Sequence, residues 1–159
     1  MTAGRPISLK CFFTAWIFGW VVAIYVPSAL IALSGISPLS AGKSFFGALL
    51  AVADEVAAAA KIGFAALLAL MLFGARKAAP PRRRVAVAAD MVLACLAMLA
   101  TLLLLPAEWS RGFGIGITGA RFDRDATLIY LAGAALAGLS FSLAEARCLA
   151  AVGTREPRA

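Results

Sequence analysis

From residue 11 to residue 33 the chain runs without one charged side chain, and this constrains the fold more than any other feature. At 1.5 Å per residue, a helix of that length matches the roughly 30 Å hydrocarbon core of a bilayer. Three more apolar runs follow, at about 45–75, 85–105 and 126–146. A globule of 159 residues could not bury so much apolar surface, because small domains cover a limited share of their chain. Hydrophobic residues make up 63% and charged residues 14%, against about 45–50% and about 25% in soluble domains. The expectation is an all-α membrane protein, four transmembrane helices in an up-down bundle, forming a single integral-membrane domain over 1–159. Its first partner is the lipid bilayer.

The chain opens with Arg5 and Lys10 ahead of the first run, a pattern shared with secretory signals. The run exceeds the usual apolar region of about 7–15 residues, and no small-x-small cleavage site follows, so it reads as a retained first helix. Trp16, Trp20 and Tyr25 suit the bilayer interface or a helix contact, and Pro27 suits a bend near the outer end. Gly, Pro and Ser make 34–43 a turn. Pro80 and Pro81 break the chain within a basic loop, 76–84, and 106–125 forms a second, longer loop. Four crossings put both termini on one side. That side holds Arg5, Lys10, Arg76, Lys77, Arg82, Arg83, Arg84, Arg147, Arg155 and Arg158; the other holds Lys43, Arg111, Arg121 and Arg124. The excess of basic residues marks the cytoplasmic face, which predicts a multi-pass inner (plasma) membrane protein, N-in and C-in.

The net charge of +7 fits this asymmetry, and the basic runs lack the aromatic interleaving of a nucleic-acid surface. No nucleic-acid partner is expected. Histidine is absent, which removes the usual haem ligand, the commonest zinc ligand and the commonest general base. Cys11, Cys95 and Cys148 form no CxxC and read as small core hydrophobes. No cofactor or metal is expected. The glycines at 112, 114, 116 and 119 lack the strand, helix and lysine of a phosphate loop. Asp123 and Asp125 are interleaved with Arg121 and Arg124, which suits salt bridges better than a metal.

The second run carries charges costing about 2.5–3.5 kcal/mol each at a span's centre. Counting inward from Arg76, about 20 residues of helix cross the core and reach Val56. Asp54 and Glu55 then sit at the outer interface, with Lys61 roughly 8 Å below it and leaning toward the acids. Asp90, inside the third run, pairs most simply with one of Arg82–Arg84. A carboxylate pair with Glu145 is the rarer arrangement, and would share a proton. Asp54, Glu55, Lys61 and Asp90 are therefore the candidate intramembrane polar site. In the fourth run Ala134, Gly138 and Ser142 recur every four residues, a face that lets another span approach closely.

No catalytic constellation stands out, so the chain reads as non-enzymatic: a subunit, assembly factor or scaffold, with a membrane-protein partner or a second copy of itself. The alternative is a small oligomeric transporter or channel using Lys61 with Asp54 and Glu55, or Asp90. An intramembrane aspartyl enzyme would need a second carboxylate beside Asp90 at the same depth.

Overall fold

The computed structural model describes residues 8–34, 42–55, 58–78, 83–104 and 124–153. They form five helices and, among the described residues, no strand: α1 (Leu9–Ser34), α2 (Phe45–Glu55), α3 (Ala58–Ala78), α4 (Arg83–Leu104) and α5 (Arg124–Gly153). Three segments are long and apolar enough to cross a membrane: Leu9–Ser34, Val85–Leu104 and Thr127–Val152. The glycine-rich stretch, the acids and arginines at 121–125 and the arginines at 82–84 lie outside the described residues or side chains.

The second apolar run is helical in both of its described parts, α2 up to Glu55 and α3 from Ala58, with 56–57 outside the described residues. Ser44 starts α2 as its N-cap: the Gly47 N–H donates to Ser44 Oγ at 3.3 Å, and the Ala48 N–H to the Ser44 carbonyl at 2.8 Å. Asp54 falls in the last turn of α2 and Lys61 in the first turn of α3. α5 runs two turns past the expected end at 146, to Gly153.

α1 packs most extensively on α5, α5 on α4, and α4 on α3, while α2 rests on α1. Side-chain-free positions set these approaches. A Cβ on Gly19 would stand 3.0 Å from the Ala137 carbonyl oxygen, and one on Gly133 would stand 2.3 Å from Pro27 Cγ. Gly133 thereby makes room for the Pro27 ring, and α1 remains helical through it to Ser34. The core is largely Ala, Leu and Phe, with Ala15, Ala94, Ala97, Ala134 and Ala137 buried around Phe12, Leu68, Leu72 and Phe141. Lipid is as apolar as these side chains, so close packing rather than exclusion from water holds such helices together.

Candidate functional site

Three charged residues meet at one end of the bundle, one from each of α3, α4 and α5. Arg76 donates from Nη1 to Asp90 Oδ1 at 2.9 Å and from Nη2 to Asp90 Oδ2 at 2.6 Å, a two-pronged pair. Its Nε donates to Glu145 Oε2 at 2.9 Å, and Nη2 lies 2.8 Å from the same oxygen. The Ser142 hydroxyl donates to Asp90 Oδ2. Below the guanidinium lies the Phe141 ring, 5.2 Å from Cζ to centroid. Phe12 meets both Phe141 and Phe73 edge-on at 5.5 Å, and Lys77 Nζ stands 5.0 Å above Phe73. The Asp90 side chain is 0% exposed, with Arg76 at 16% and Glu145 at 13%.

Backbone geometry places these groups. Arg76 is in the last turn of α3, where side chains lean back toward the helix N-terminus, so the guanidinium turns into the bundle. Gly138 lets the α5 backbone press on α4 at Asp90: a Cβ there would lie 2.4 Å from the Asp90 carbonyl oxygen. Ser142, one turn further along α5, then reaches the carboxylate. The small-residue face of α5 is thus turned to α4, with Ala134, Gly138 and Ser142 all buried.

Arg76 corrects two readings. It belongs to α3 and the bundle interior rather than to a solvent loop over 76–84, because its side chain folds inward. It also takes the role given to Arg82–Arg84 as Asp90's partner. Asp90 and Glu145 do come to one place, yet they meet through a shared guanidinium instead of a shared proton. Among the described residues no group of three His, Cys, Asp or Glu could hold a metal.

Lys61 lies elsewhere. Its carbonyl accepts from Trp20 Nε1 at 3.1 Å, and the Ala65 carbonyl accepts from Trp16 Nε1 at 3.0 Å, with the two indoles stacked. Lys61 is therefore level with Trp20, near the middle of α1. That register puts Cys11 about level with Leu70. Lys61 and Arg76 are fifteen residues apart in sequence, roughly 22 Å along a helix, which separates Lys61 from Asp90. The Lys61 side chain is half-buried and Asp54 is exposed; the Glu55 side chain lies outside the described residues.

Two cysteines also depart from the core reading. Cys11 and Cys148 are joined in a disulfide, with Cα atoms 5.4 Å apart, because antiparallel α1 and α5 bring one helix's start beside the other's end. Cys95 is the free thiol, donating to the Leu131 carbonyl at 3.5 Å. No protein-family model matches the chain, and neither do any curated protein or any solved structure.

Proposed function

We propose that this is a non-catalytic, multi-pass protein of the inner (plasma) membrane, acting as a subunit, assembly factor or scaffold. It crosses the bilayer four times, with α2 and α3 together forming the second crossing and both termini cytoplasmic. One observation carries the reading: Asp90, the most deeply buried acid among the described residues, has both carboxylate oxygens engaged by Arg76 and a further contact from Ser142. A carboxylate so engaged is bound into the structure and is poorly placed to carry a proton or ion. The disulfide supports same-side termini, and the basic residues at that end support its cytoplasmic placement.

The alternative is a small oligomeric transporter or channel. It is favoured by Lys61, a half-buried cation within the second apolar run, since an ionisable residue inside a span commonly marks an ion or substrate path. Purified protein in proteoliposomes separates the two. The scaffold reading expects proton, sodium and potassium fluxes equal to those of empty vesicles, and a defined larger complex after mild solubilisation. A flux lost in Lys61→Ala or Asp90→Asn would overturn it.

A further inference from the structure

Arg76 ties α3, α4 and α5 together, but the described residues show no ion pair from α1 to that cluster. At this end α1 contributes Phe12, whose ring touches Phe73 and Phe141, and Cys11, bonded to Cys148. Cys148 stands three residues after Glu145 on α5, close to one helical turn. The disulfide is therefore the one covalent tie of α1 to the charged end of the bundle, across a sequence separation of 137. The two sulfurs differ in access: Cys11 is 1% exposed and Cys148 is half-buried.

We propose that Cys11 and Cys148 form a reversible redox latch on the cytoplasmic end of α1. This rests on the N-in, C-in reading, because the cytoplasm is where disulfides are transient and regulatory rather than permanent. Opening begins at the reachable sulfur. One thiolate of a dithiol reductant attacks Cys148 Sγ, forming a mixed disulfide and releasing the Cys11 thiolate, which takes up a proton. The reductant's second thiol then displaces Cys148, leaving an oxidised reductant and two protein thiols, a transfer of two electrons and two protons. Closing uses a small disulfide as oxidant: the Cys148 thiolate attacks it and releases one thiol. Cys11 then attacks Cys148 Sγ and releases the second. Open, the latch leaves the Arg76 cluster intact and holds the start of α1 by apolar contacts alone.

The test uses full-length protein in native membrane vesicles treated with dithiothreitol or glutathione disulfide. Acid quenching, then a polyethylene-glycol maleimide under denaturing conditions, counts free thiols. One adduct (Cys95) is expected for the closed form and three for the open form, with cycling between them; Cys148→Ser should give two adducts throughout, and Cys11→Ser two when reduced and one after oxidation, when glutathione stays on Cys148. Trypsin cleavage at Lys10 should quicken at least threefold on reduction in the wild type and be redox-insensitive in Cys148→Ser. Three adducts after oxidation, one adduct after reduction of intact vesicles, or unchanged cleavage would each overturn the latch. A membrane-impermeant thiol reagent distinguishes failure of the premise. Labelling of reduced Cys148 in inverted vesicles is expected, and labelling in intact cells would overturn the orientation and the latch with it.

Discussion

Gly138→Ala puts the tightest test on this architecture, because the atoms its methyl group would meet are backbone. The new Cβ would lie 2.4 Å from the Asp90 carbonyl oxygen and 2.7 Å from both the Asp90 carbonyl carbon and Met91 Cα. Ordinary contacts begin at 3.4 Å, so α4 and α5 must part by about 1 Å at this level. Overpacking of that kind costs about 1–3 kcal/mol. Separation also draws Ser142 away from Asp90, and a hydrogen bond to a charged group contributes about 1.5–3 kcal/mol. Relaxation spares part of each, and alanine's better helix propensity returns up to about 1 kcal/mol. A net destabilisation of about 1–3 kcal/mol follows.

The measurement is equilibrium unfolding in mixed detergent and dodecyl sulfate micelles, followed by tryptophan fluorescence. Gly74→Ala is the control, since nothing lies within 4 Å of a Cβ there; it should be neutral or slightly stabilising. Gly19→Ala, with its nearest atom at 3.0 Å, should fall between them. Equal stability of Gly138→Ala and Gly74→Ala would refute the close approach of α4 to α5, and with it the placement of Ser142 on Asp90.

Arg76→Gln strands a fully buried Asp90 charge and should cost about 3–5 kcal/mol, whereas Arg76→Met with Asp90→Leu removes both charges and should cost less; a double variant no better than the single one would mean that the pairing is not what Arg76 contributes. Trp20→Phe removes the indole bond to the Lys61 carbonyl and should cost about 0.5–1.5 kcal/mol. Lys61→Met, which keeps that carbonyl, should stay within about 0.5 kcal/mol of the wild type in the same titration. With Trp16→Phe and Trp109→Phe, the remaining Trp20 fluorescence should be quenched most by lipids brominated near the bilayer centre. Strongest quenching by lipids brominated near the headgroups would refute α1 as a span centred near Trp20.

Helical class and the apolar runs were legible because lipid demands long uncharged segments, and α1 and α4 fall close to the runs that define them. Asp90 was legible as a charge needing a partner, but not which one. Arg82–Arg84 are nearer in sequence, while Arg76 reaches it through the backward lean of a side chain at the end of α3. Same-side termini already implied that Cys11 and Cys148 share one end of the bundle. Their pairing was still missed, because a separation of 137 residues carries no spacing signal.

The charge cluster has a physical task that the apolar core cannot perform. Spans lined by Ala and Gly attract one another by close contact, and a face that repeats small residues every turn offers similar contacts after sliding by one turn. Such a slip moves a helix by about 5.4 Å along its neighbour. It would carry Asp90 out of reach of the Arg76 guanidinium and leave a bare carboxylate at 0% exposure, a far larger penalty than any loss of dispersion. The two-pronged pair therefore selects one register for α3, α4 and α5, the best-attested use of buried charge. Pro27 does so between α1 and α5, where only Gly133 admits its ring. The α3–α4, α4–α5 and α1–α5 interfaces thus each hold a contact that a one-turn slip would break.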